Sequence, residues 1–183
     1  MLVHTIGHSR RSAEELGALL READIDLLVD VRRFPRSRTN PQFNDEALAP
    51  FLKSRGILYR HLPSLGGRRG GNSKAPSENT LWREAAFRAY ADYAEGPEFR
   101  AGFEELLNLA RHHRVAIMCA EAVWWRCHRR IIADYLIAAS VEVRHILDHG
   151  KVESANLTEG ARFVGGGRLS YRDPKESPRL PGL

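Results

Sequence analysis

Residues 25–31, IDLLVDV, form a nearly continuous apolar run of strand length. A strand with one wet face alternates apolar and polar residues, so an unbroken run reads as a parallel strand covered by helices on both faces. Four further segments read as strands: LVHTIG at 2–7, GILYRHL at 56–62, RVAIMCA at 114–120 and VEVRHIL at 141–147. Helical patterns separate them. Ser12 followed by Glu15 makes a capping box ahead of Leu16, Leu19 and Leu20. Asn44 can cap a helix through Leu48, Phe51 and Leu52 that stops at Gly56, with Pro50 bending it or delaying its start. Helical spacing returns at Trp82, Phe87, Tyr90 and Tyr93, again after Pro97 through Phe99, Phe103, Leu106, Leu107 and Ala110, and finally over 126–139. These aromatics read as core.

Strands alternating with helices imply an α/β fold: a single Rossmann-like domain over 1–171, with about five mostly parallel strands flanked by helices. Residues 64–79, SLGGRRGGNSKAPSEN, carry four glycines and three cations and read as a mobile loop bordering the site. From Asp148 onward, with three consecutive glycines at 165–167, the chain is expected to pack loosely and to end in a flexible Pro-rich tail at 172–183.

The net charge of +5 and pI near 9.6 suit a polyanionic partner, a nucleic acid or nucleotide. Arginine supplies 24 of the 28 basic residues, which a GC-rich genome explains equally well. No apolar run approaches the roughly 18 residues of a membrane span, and the start lacks a secretory apolar core. Two cysteines, Cys119 and Cys127, are too few for a secreted disulfide scaffold. These features point to a soluble, cytoplasmic protein with no membrane partner. They name no cofactor and set no oligomeric state.

In an open parallel sheet the ligand site lies beyond the carboxyl ends of the strands. Gly7, His8, Ser9 and Arg10 follow the first strand, and Asp30, Arg32 and Arg33 the second. The stretch MCAEAVWWRCHRR, 118–130, carries Cys119, Glu121, Trp124, Trp125, Arg126, Cys127, His128 and Arg129. Glu121 directly follows a run that should be buried, where a carboxylate must be paired, hydrogen-bonded or shifted in pKa. Cys119 reads as core. Cys127 falls near a helix start beside cations, where a thiolate is favoured, yet also four residues before Ile131 on a face that can be buried. A phosphatase-type loop is ruled out, because Arg126 is seven positions after Cys119 and not six. Cys119, Cys127, His128 and His8 could supply four zinc ligands, but adjacent Cys127 and His128 rarely reach one metal, and no CxxC pair exists; no metal is assigned. Trp124 and Trp125 can stack on bases or roof the sheet.

TIGHS, DVRRFPRS, LGG after GILYRHLPS, MCAE and CHRRIIADYL together resemble the recurring blocks of the domain-of-unknown-function 488 family. The resemblance runs from residue 3 to about 171, and a later block resembles HILDHGKVESANLT, with Asn156 where a histidine is expected. It implies a compact α/β domain with distinctive residues at strand ends, and no reaction.

The expected function is an enzyme acting on an anionic substrate, a nucleotide or nucleic acid. Arg32, Arg126 and Arg129, with Ser9, Arg68 and Arg69, would bind it; Glu121 or Asp30 would act as general base or acid; His128 or His8 would move protons; Cys127 is the candidate nucleophile. The alternatives are a non-catalytic nucleic-acid-binding or adaptor module, and a thiol-based redox or metal sensor.

Overall fold

The computed structural model describes residues 1–69 and 77–173. The central part of the 64–79 loop and the tail beyond Asp173 lie outside the described residues. The five anticipated strands form as β1 (Leu2–Gly7), β2 (Leu27–Asp30), β3 (Leu58–His61), β4 (Val115–Cys119) and β5 (Glu142–Asp148). They lie parallel, in the order β3-β2-β4-β1-β5. The helices are α1 (Ala13–Glu22), α2 (Asp45–Lys53), α3 (Ala85–Ala94), α4 (Pro97–His112) and α5 (Arg129–Ala138).

Two cores form, one on each face of the sheet. On one face Ile6, Leu28 and Met118 pack under α1 and α2 through Leu16, Leu20, Leu48 and Leu52. On the other face Val3, Val29 and Ile117 meet α3, α4 and α5 through Tyr90, Phe99, Leu106, Ile131 and Ile132. β2, β4 and β1 are therefore covered on both sides, which is why their sequences do not alternate. The capping box of α1 is present, with Ser12 accepting from Glu15 N–H and Glu15 accepting from Ser12 N–H. Pro50 stays inside α2 on its exposed side, where the missing N–H would have met the carbonyl of Glu46.

Three boundaries differ from expectation. Trp82 precedes α3 and packs into the core from the loop. The last helix begins at Arg129, after a 3-10 turn at Trp124–Arg126, so Cys127 and His128 sit on the connection. The segment after Asp148 is not loose. β6 (Lys151–Ser154) pairs antiparallel with β5 as the sheet's sixth strand. β7 (Arg162–Gly165) and β8 (Arg168–Ser170) then form a hairpin that delivers Leu169 and Tyr171 into the core beside α5. There the buried carboxylate of Asp134 accepts from Thr158 N–H at 2.8 Å and Tyr171 O–H at 2.9 Å.

β1 leads to α1 on one face while its neighbour β4 leads to α5 on the other. Their exits diverge and leave a crevice at the carboxyl ends of β1, β2 and β4. Among the described residues no helix is long and apolar enough to cross a membrane.

Candidate active site

Cys119 closes β4 and the chain turns outward. Cys127 is extended (φ −131°, ψ 148°) while His128 has already turned into helical backbone (φ −56°, ψ −17°). That change of direction lets two consecutive side chains converge. His128 Nδ1 lies 3.5 Å from Cys127 Sγ and 3.8 Å from Cys119 Sγ. Its Nε2 is 3.0 Å from the carbonyl of Val31. A carbonyl only accepts, so Nε2 carries the proton in the neutral ring and the Nδ1 lone pair faces the sulfurs.

Beneath this group lies Arg129, 1% exposed. Its Nε donates to Cys127 Sγ at 3.4 Å, and its terminal nitrogens donate to Thr5 Oγ1 at 3.4 Å and the Glu121 carbonyl at 2.5 Å. Among the described residues none of its partners is a carboxylate. A buried guanidinium without counter-charge is strongly unfavourable, and the Cys127 sulfur is the contact able to supply one. Burial opposes ionisation of Cys127, but the Cys119 thiol, the His128 ring and Arg129 outweigh it and hold this thiol well below the usual range. Its hydrogen bond to Cys127 and its burial push the Cys119 thiol well up.

The wall on the β2 side is a closed network. Arg32 donates from Nε to Asp30 Oδ1 at 2.9 Å and from a terminal nitrogen to Oδ2 at 2.5 Å, and also reaches the Phe43 carbonyl at 2.7 Å. Tyr59 O–H donates to the same Oδ2 at 2.7 Å. The other terminal nitrogen of Arg32 donates to His8 Nε2 at 3.3 Å, while His8 Nδ1 donates to the Ser9 carbonyl at 2.9 Å. His8 is stacked on Phe43 with centroids 4.1 Å apart, and burial pulls its pKa down to about 4, so it stays neutral at pH 7. Asp30 and Arg32 thus complete each other inside the fold.

Above the floor opens a cleft of about 460 Å³, into which Cys119, Cys127 and His128 face. Its walls carry Arg33, Arg36, Arg68 and Arg126, with the aromatic rings of Phe34, Phe87 and Tyr90. Glu121 stands on the rim and is exposed, contrary to the expectation of a buried carboxylate; it is its backbone carbonyl that is held inside, by Arg129.

Two glycines make this packing feasible. A Cβ on Gly7 would lie 1.9 Å from the Glu121 carbonyl oxygen and 2.9 Å from a terminal nitrogen of Arg129. A Cβ on Gly67 would lie 2.7 Å from His128 Nδ1 and 3.1 Å from Cγ, pressing on the imidazole. Both positions hold backbone against the cluster where no side chain fits.

Residues 12–136 match the family described as domain of unknown function DUF488. The chain belongs to that family. The matched span includes the DVRRFPRS, LGG, MCAE and CHRRIIADYL blocks, while TIGHS and the HILDHGKVESANLT block fall outside it. No curated protein and no solved structure matches.

The structure gathers His8, Arg32, Arg68, Glu121, Arg126, Cys127 and His128 around the one cleft. Asp30 lies behind Arg32, and Arg129 beneath the floor. Ser9, with left-handed backbone at φ 52°, opens onto a neighbouring recess shared with Arg10 and Arg126. Arg69 points away from the cleft: it donates to the carbonyls of Gly66 and Pro63 and lies over the Tyr93 ring at 3.7 Å. The tryptophans divide, Trp124 stacking on His145 at 4.2 Å while Trp125 is 47% exposed. Asn156 is exposed and does not line the cleft. Sequence reasoning missed Arg36, Phe43 and Tyr59; only Arg36, in the arginine-rich loop after β2, carried a signal.

Proposed function

We propose that this protein is an enzyme acting on an anionic substrate, a nucleotide or nucleic acid, with the Cys119, Cys127 and His128 cluster as the reacting floor of the cleft. One observation carries the reading: Arg129 is buried with no carboxylate partner among the described residues, directly against a cysteine that faces the cleft. A packed core gains nothing from that pairing, whereas a reactive sulfur needs it.

The walls support the substrate class. Arg126 and Arg68 are exposed on the cleft, and Phe34, 65% exposed, lies beside Arg33. Guanidinium groups recognise phosphate oxygens in bidentate fashion, and exposed rings stack on bases. Arg32 and Asp30 position the wall and are not assigned to substrate.

The test uses the full chain, purified under reductant without chelator. It is incubated with nucleoside mono-, di- and triphosphates and short single-stranded oligonucleotides, and products are separated by chromatography. Turnover is expected with at least one class, falling on the order of 100-fold or more in Cys127→Ala, with KM raised in Arg126→Ala. Binding without product would make this a non-catalytic nucleic-acid-binding module. Neither binding nor product would remove the reading.

A further inference from the structure

We propose that Cys119, Cys127 and His128 bind one zinc ion whose fourth coordination position opens into the cleft. The metal's part in turnover rests on the enzyme reading above; its binding does not.

The spacing is that of a coordination sphere. Around a tetrahedral zinc with Zn–S of about 2.3 Å and Zn–N of about 2.05 Å, a sulfur and a nitrogen ligand stand about 3.6 Å apart. The two S–N separations here are 3.5 and 3.8 Å, and the three donor atoms all lie within 4.8 Å of one another. Two thiolates and an imidazole are soft donors, which select zinc over magnesium or calcium. The argument against zinc from adjacent Cys127 and His128 fails because the backbone changes from extended to helical between them.

The surroundings are those of a ligand set held in advance. His128 donates from Nε2 to the Val31 carbonyl, the outer hydrogen bond that fixes a ligating imidazole with its other nitrogen free. Arg129 donates to Cys127 Sγ, a contact a metal-bound thiolate retains. Gly67 allows the backbone to press on the ring where any Cβ would displace it.

Three protein ligands and an open position distinguish a reacting zinc from a structural one. The two thiolates cancel the charge of the ion, so the floor keeps the positive charge of Arg129. The open position therefore favours an anion, either hydroxide or a phosphate oxygen of a substrate. In that arrangement the ion polarises the bound oxygen, and the rim arginines hold the rest of the substrate.

The experiment is metal analysis of the full chain, purified under reductant without chelator. One zinc per chain is expected, removable by phenanthroline. Cobalt(II) added to the stripped protein should give thiolate-to-metal charge-transfer bands and the intense visible bands of a tetrahedral site. Both thiols should resist Ellman's reagent in the zinc protein and react after chelation. Cys119→Ser, Cys127→Ser and His128→Gln should each weaken zinc affinity at least about 100-fold, with circular dichroism checking that each variant folds. Thiol protection in the native protein covers the case in which a cysteine variant does not fold. Failure of the fully reduced protein to take up zinc or cobalt would overturn the proposal, as would a cobalt spectrum lacking thiolate charge transfer. Zinc binding without turnover keeps the site and removes the enzyme reading; turnover that persists after complete metal removal keeps both and removes the ion's part in the reaction.

Discussion

Asp30 and Arg32, separated by one residue, close a bidentate ion pair at the end of β2 in which Asp30 is wholly buried. Removing one member strands the other. Asp30→Asn should therefore destabilise the protein by about 3–5 kcal/mol, because Arg32 remains buried and the Tyr59 hydroxyl loses a charged acceptor. Urea denaturation followed by circular dichroism measures this, and a loss under 1 kcal/mol would show that the pair is not a structural anchor.

Gly7→Ala should be damaging despite adding a single methyl group. With the Glu121 carbonyl oxygen 1.9 Å from the added carbon, the loop after β4 must move and pull its bond from Arg129 with it. A loss of about 2–3 kcal/mol is expected. A change this small in volume that left the melting curve untouched would mean that the loop relaxes freely.

The rim and the interior arginines should separate in binding experiments. Arg68→Ala with Arg126→Ala should lower affinity for a short oligonucleotide and flatten its salt dependence by about one unit of slope per lost phosphate contact, at unchanged stability. Arg69→Ala should do the opposite: its side chain holds loop carbonyls and covers Tyr93, so melting falls while binding is retained. Equal effects of the two variants on affinity would contradict this assignment.

Glu121→Gln should leave stability within about 0.5 kcal/mol, since the carboxylate is exposed and forms no ion pair among the described residues. Thermal melting decides it. A drop of several degrees would place a structural role on a side chain that the fold leaves on the rim.

His145 sets a pH dependence. Burial, reinforced by the nearby charge of Arg129, lowers its pKa from 6.5 to about 4, and His8 is lowered to a similar value. In the window from pH 6.5 down to 4 the unfolded chain takes up protons that the folded one refuses. The contribution is therefore complete above pH 6.5 and declines as pH falls, with a slope of up to about 1.4 kcal/mol per pH unit for each ring. Denaturation series across that range should show the decline, to which His4, also lowered by burial, adds, and His145→Asn should make it shallower.

β1, β2 and β4 were legible because burial on both faces writes itself as apolar runs, whereas β3 and β5, which keep exposed positions, showed as segments of strand length between helical patterns. β6 was not, since an edge strand with all four residues exposed, KVES, carries no apolar signature. The hairpin of β7 and β8 was hidden by Gly165, Gly166 and Gly167, which read as looseness but serve positive φ angles at its turn. The residues around the cleft were legible as a set, because strand exits in a parallel sheet converge. Their individual roles were not. Sequence proximity to a buried strand suggested a buried Glu121 carboxylate, whereas the chain turns outward after Cys119. The convergence of the neighbouring Cys127 and His128 side chains was hidden, because one change of backbone direction is invisible in residue types.

The hydrogen bond from Tyr171 to Asp134 joins residues 37 positions apart along the chain. At a synthesis rate of about 5–20 residues per second, α5 waits roughly 2–7 s for that partner to be made. During the wait its buried aspartate faces a gap, and the sheet face beneath Leu169 and Tyr171 stays open to water. Emergence from the ribosome therefore imposes an order that refolding in a tube does not: this face of the molecule closes last.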